Sequence, residues 1–200
     1  MKNKLLLLFF LLGVFFPLSA QESEVLISTS HTSLLLSTSQ GGELKFLYYG
    51  RKLTDADVHA IVSTESGSFS AYPVYGLNCP SESALSVQHE DGNMTLQMEV
   101  IGVETTHQEK ANLTVISLKD KVYPFYVKLC YKAYQDVDVI EAWTEISHKE
   151  KKNVKLNQFA SAYLPVRKGN VWLSSLYGAW ANEARLVQEP LEPGMKVIKN

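Results

Sequence analysis

The stretch that most constrains this chain is 123–147, YPFYVKLCYKAYQDVDVIEAWTEIS, two alternating runs joined by the acidic turn Gln135-Asp136-Val137-Asp138. In the first run Phe125, Val127, Leu129, Tyr131 and Ala133 share one face, and Tyr126, Lys128, Cys130, Lys132 and Tyr134 share the other. A period of two marks a strand with one buried side. The second run places Ile140, Ala142, Thr144 and Ile146 on one face and Val139, Glu141, Trp143 and Glu145 on the other. Its β-branched and aromatic content suits a pleated surface, so the two runs predict an antiparallel hairpin.

The same pattern recurs along the chain. Glu24 to Ser30 and His31 to Thr38 read as short strands, Ser39-Gln40-Gly41-Gly42 as a turn, and Glu43 to Tyr49 as a returning strand. Asp55 to Val62 reads as one short helix with Asp55 as N-cap, and Thr64 to Ser70 as a loop. Tyr72-Pro73-Val74-Tyr75-Gly76-Leu77-Asn78-Cys79-Pro80 lacks alternation; its prolines and glycine predict an ordered loop or sheet edge. Ala84 to His89 and Met94 to Val103, joined by Asp91-Gly92-Asn93, predict a second hairpin. Leu113 to Leu118, Val154 to Val166 and Val171 to Tyr177 follow as strands, and Met195 to Asn200 reads as the start of another, which suggests a fragment. Strands at this spacing predict an all-β antiparallel sandwich of two large sheets, cut short at its C-terminus.

The N-terminus reads as a secretory signal over residues 1–20: Lys2 and Lys4, then Leu5 to Phe16, then Leu18-Ser19-Ala20 as a small-residue cleavage site. The apolar run is shorter than the roughly 20 residues a span needs, so an exported, periplasmic or extracellular protein of residues 21–200 is expected, without a membrane span. Its loss removes two lysines and leaves 17 basic against 21 acidic residues. Such a balance, without a basic stripe, argues against a nucleic-acid partner. The cluster Lys149-Glu150-Lys151-Lys152 reads as a solvated turn. Cys79 and Cys130 would meet an oxidising compartment, yet one lies in a turn-like segment and the other beside Lys128 and Lys132, so nothing brings them into a disulfide. Two distant cysteines and five scattered histidines supply no metal site, and no cofactor-binding motif is evident.

The search for chemistry finds no G-x-S-x-G elbow, phosphate-binding glycine loop or H-E-x-x-H helix. Most acids lie in turns (Glu90, Asp91, Asp120, Asp136, Asp138, Glu150) or alternate outward (Glu99, Glu141, Glu145), and the histidines His31, His59, His89, His107 and His148 read as exposed. Trp143 and Trp172, on strands, read as core. Trp180, Tyr75 and Tyr72, aromatic and close to glycines, are the candidates for an interface or a stacked sugar.

Six segments taken in order carry a resemblance: LKFLYYGRKL (44–53), AYPVYG (71–76), SALSVQHEDGNMTLQMEV (83–100), LCYKAYQDVDVIEAWTEI (129–146), VKLNQFASAYLPV (154–166) and LYGAWANEARLVQEPLEPGMKVIKN (176–200). Together they resemble the N-terminal β-supersandwich domain of family 36 glycoside hydrolases, the melibiase-type α-galactosidases. Gly178-Ala179-Trp180-Ala181 with Glu183 is similar to that family's G-x-W-x-x-E segment. The resemblance implies an enzyme in which this domain precedes a (β/α)₈ barrel whose two aspartates cleave terminal α-galactosides with retention. Neither aspartate has a counterpart here, so no catalytic residue is carried over. One departure stands out, since many members follow the tyrosine-glycine pair with an acidic and aromatic-basic run, where this chain has Leu77-Asn78-Cys79-Pro80-Ser81-Glu82. The expected role is to support the barrel and its substrate entrance, with an oligomer interface as a further role in the parent; alone, the chain should be inactive. A free-standing carbohydrate-binding β-sandwich of the cell envelope is the alternative, and a truncated product without a role the third.

Overall fold

The computed structural model describes residues 23–64, 69–76, 82–166, 169–192, 194 and 196–198. Its chain order is β1 (Ser23–Ser28), β2 (Thr32–Thr38), β3 (Leu44–Arg51), α1 (Asp55–Ser63), β4 (Phe69–Ser70), β5 (Leu85–Gln88), β6 (Met98–His107), β7 (Ala111–Asp120), β8 (Phe125–Tyr134), β9 (Val139–His148), β10 (Lys155–Phe159), β11 (Trp172–Ala179) and β12 (Asn182–Pro190). Two compact units result, Met1–Leu164 and Pro165–Asn200. The proposed signal segment, the central part of the loop expected over 64–70 and the stretch 77–81 with Cys79 lie outside the described residues.

In the first unit a sheet in the order β1-β2-β3-β4 faces a sheet in the order β6-β7-β8-β9. Val25, Ile27, Leu34, Leu36, Leu44 and Phe46 from one meet Ile116, Leu118, Phe125, Val127 and Leu129 from the other in a single buried cluster. The fold is thus the all-β, antiparallel sandwich expected. The hairpin β8-β9 has the expected bounds and faces: Leu129 pairs with Thr144 and Tyr131 with Ala142, both pairs pointing inward. At about 25 cal/mol per Å² of apolar surface removed from water, burying the inward row of β8 is the main local reason this strand forms where it does.

The outer face of the first sheet carries a smaller core. Leu47 is the extra residue of a bulge, since Leu35 pairs with Tyr48 and Leu36 with Phe46. Leu35, Leu47 and Val58 of α1 cluster there. The helix begins one residue earlier than expected. Thr54, not Asp55, is its N-cap, with φ −88° and ψ 166°, and Asp57 completes a reciprocal capping box. That carboxyl is held below its ordinary value by the backbone and hydroxyl of Thr54.

Three further expectations are corrected. Residues 84–89 and 94–103 do not pair as a hairpin, because β5 pairs with β10 and β6 with β7. The Asp91-Gly92 turn does form, with the His89 amide donating to the Asn93 carbonyl at 2.8 Å, but the chain then passes from the β5-β10 pair into the sheet that holds β6. Leu96 N donates to Tyr75 O and Lys121 N to Gln97 O. Alternation reports which face is buried and leaves the pairing partner open. The strand expected over 154–166 stops at Phe159, since its four-residue partner β5 runs out. Residues 196–198 form no ladder, and Met195, Lys199 and Asn200 lie outside the described residues.

In the second unit β11 and β12 pair as an antiparallel ribbon. Trp172, expected in a core, is 61% exposed, and Leu176, Tyr177 and Leu186 are also exposed. A two-stranded ribbon by itself has no second layer to cover either face.

Candidate functional site

The segment 71–76 fills the gap between the layers, and the candidate site is built around it. Ala71 N donates to Leu44 O at 3.0 Å, Tyr75 N to Leu85 O at 2.8 Å, and Ala84 N to Pro73 O at 2.7 Å. Val74 and Gly76 form parallel bridges with Leu85 and Leu96. The aromatic and proline-rich stretch is therefore an ordered filler stitched on both sides, with Pro73 placed where its carbonyl alone is used. Gly76, at φ 140°, leaves no room for a side chain: a Cβ would stand 2.9 Å from Thr95 Cγ2 and 3.1 Å from Leu96 N.

Of the three aromatic candidates, Tyr72 is buried, and its hydroxyl donates to Ala160 O at 2.8 Å. Burial pushes its phenol above the ordinary value. It pins the filler to the chain leaving β10. Tyr75, pointing the other way, is 48% exposed. Trp180 belongs to the second unit, where it stands 97% exposed in the β11-β12 turn. Ala181 in that turn and Ala184 in β12 both have φ 58°, a left-handed conformation unfavourable for alanine.

Two clefts open next to the filler. One, of about 270 Å³, is lined by Ser39, Glu43, Ser70, Gln97 and Lys121 over a floor of Tyr72, Val74 and Leu96. The other, of about 170 Å³, is apolar, with Leu34, Leu36, Phe46, Ile140 and Ala142 as walls and Tyr49, Tyr131 and Tyr163 among its lining. Tyr131 is 8% exposed, and no hydrogen bond engages its hydroxyl among the described residues. Burial, with Tyr72 and Cys130 nearby, pushes its phenol up to about 12.

A buried polar cluster was not legible in the sequence. His89, expected to be exposed, stacks on Tyr123 with ring centroids 3.7 Å apart and meets Phe125 edge-on. Its Nδ1 lies 2.8 Å from Glu150 Oε1, with side-chain exposures of 0% and 3%. An ionised carboxylate only accepts, so Nδ1 carries the proton. Glu150 is thus no solvated turn residue, and its other oxygen accepts from Glu90 N at 3.3 Å. The Tyr123 hydroxyl donates to Asp91 Oδ2 at 2.7 Å, which with Asn93 lowers the pKa of that carboxyl. Asp120 is buried too and accepts from the amides of Gln97, Val122 and Tyr123. The available signal was parity: His89 continues the alternate buried positions Leu85 and Val87, one residue beyond the end of β5.

Elsewhere, the acidic turn of the central hairpin is a clamp. Asp138 accepts from the hydroxyls of Thr29 and Thr32 and from the His31 amide, and the Thr29 bond chiefly holds its pKa down. Cys130 is a free, buried thiol on the outward face of β8, directly across from Trp143. Trp143 is half-buried, outside the core, and donates from Nε1 to Glu145 Oε1 at 3.3 Å. Burial, then Glu145, raises the Cys130 pKa. Any bridge to Cys79 lies outside the described residues. Among the described residues no group of three or more His, Cys, Asp or Glu side chains could hold a metal ion, and no helix is long and apolar enough to cross a membrane. The buried acids Asp120 and Glu150 are engaged by main-chain amides and by His89, an arrangement suited to holding loops in place.

The sequence profile of the glycosyl hydrolase family 36 N-terminal domain matches residues 42–200. The chain is 28% identical over 96 residues to α-galactosidase Mel36A of Lactobacillus acidophilus, an alignment spanning 48% of this chain and 13% of that protein. Its fold is similar to that of a variant of the family 36 α-galactosidase AgaA from Geobacillus stearothermophilus, solved with 1-deoxygalactonojirimycin, at a TM-score of 0.75 and 21% identity over 86% of this chain and 28% of that one. It is similar also to the α-galactosidase from Lactobacillus brevis, at a TM-score of 0.75 and 20% identity over 90% of this chain and 29% of that one. The chain thus spans between 13% and 29% of the length of these relatives.

Proposed function

Because the chain belongs to the family 36 N-terminal domain family of glycosyl hydrolases, by a match over residues 42–200, we propose that it is the non-catalytic N-terminal part of an exported α-galactosidase acting on terminal α-galactosides. That match is the observation that carries the reading; the likeness to α-galactosidase structures of which it covers 28% and 29% agrees with it. The sandwich supplies a rigid body, and the exposed apolar ribbon β11-β12 with Trp180 is where it meets the catalytic part and shapes the substrate entrance. Export rests on Lys2, Lys4, Leu5 to Phe16 and the Leu18-Ser19-Ala20 site. Sequencing the gene past the codon for Asn200 tests the main reading: an open frame carrying a (β/α)₈ barrel supports it, and a stop codon there refutes it. Fusing residues 1–30 to a reporter tests export, with the reporter expected outside the cytoplasm.

A carbohydrate-binding role is the second reading, favoured by the 97% exposure of Trp180. Its mark would be saturable quenching of tryptophan fluorescence by galactosides, lost in Trp180→Ala.

A further inference from the structure

We draw no further inference here: the strongest candidate, the buried side-chain cluster of His89, Tyr123 and Glu150 where the 89–93 and 149–152 turns meet, leaves His89 Nε2 without a partner among the described residues, but neither cleft beside the filler reaches that nitrogen, so nothing in the structure shows what would bind there.

Discussion

Replacing Glu150 by alanine separates two accounts of the 149–152 turn. If Glu150 were the solvated acid its charged neighbours suggest, the change would cost within about 0.5 kcal/mol, as most surface substitutions do. The structure gives a different figure. Its carboxylate faces a His89 ring with no exposed side-chain surface at 2.8 Å and also receives the Glu90 amide. His89 Nε2 already lacks a partner among the described residues, so truncation leaves the ring with neither nitrogen paired among them. Leaving a buried donor unsatisfied costs about 1–3 kcal/mol. We take about 3 kcal/mol, the upper end, because the Glu90 amide loses its acceptor as well. In urea, at a slope of about 2 kcal/mol per M, that moves the unfolding midpoint down by about 1.5 M. Far-UV circular dichroism at pH 7 reads it, with Lys151→Ala as the exposed control. The double variant His89→Phe, Glu150→Met keeps the stack on Tyr123 and removes both polar groups, and should recover most of the loss. A Glu150→Ala midpoint within about 0.3 M of the parent would refute the reasoning.

Two other perturbations probe different parts of the account. Gly76→Ala forces a methyl to 2.9 Å from Thr95 Cγ2 at a φ of 140°, and should cost about 2–3 kcal/mol in the same urea assay; Gly169→Ala, where nothing lies within 4 Å, should be close to silent. Asp138 has a carboxyl pKa held below 3.8 in the folded chain, so its contribution is fully present above that ordinary value and is lost as the pH falls through its depressed native value. Asp138→Asn should therefore be less stable than the parent at pH 7, with the gap closing at acid pH; a gap that is constant with pH would contradict the clamp.

The parts of the fold legible in the sequence are those where one residue's surroundings come from its own strand. The inward row from Phe125 to Ala133 and its return partner were readable because a pleat sends alternate side chains to opposite faces whatever lies beyond. Pairing was harder. Leu85, Val87 and the run beyond Asp91-Gly92 alternate as a hairpin would, but β5 found its partner in β10, some seventy residues on, and alternation does not encode that choice. The same holds for side chains whose environment is supplied by distant residues. Glu150 sits among lysines in the chain yet against His89 in space, and Tyr72 and Tyr75, three residues apart, divide into a buried pin and a half-exposed edge. Trp172 reads as core from its strand setting, whereas the two-stranded ribbon it lies in has no second layer of its own.

The most direct test of the central claim, a structural sandwich without its own hydrolytic machinery, is the release of p-nitrophenol from p-nitrophenyl α-galactoside by the purified 200-residue chain. The account predicts a rate equal to that of buffer at every enzyme concentration. A rate that rises with chain concentration, co-elutes with the protein through successive columns and vanishes on its denaturation would contradict it.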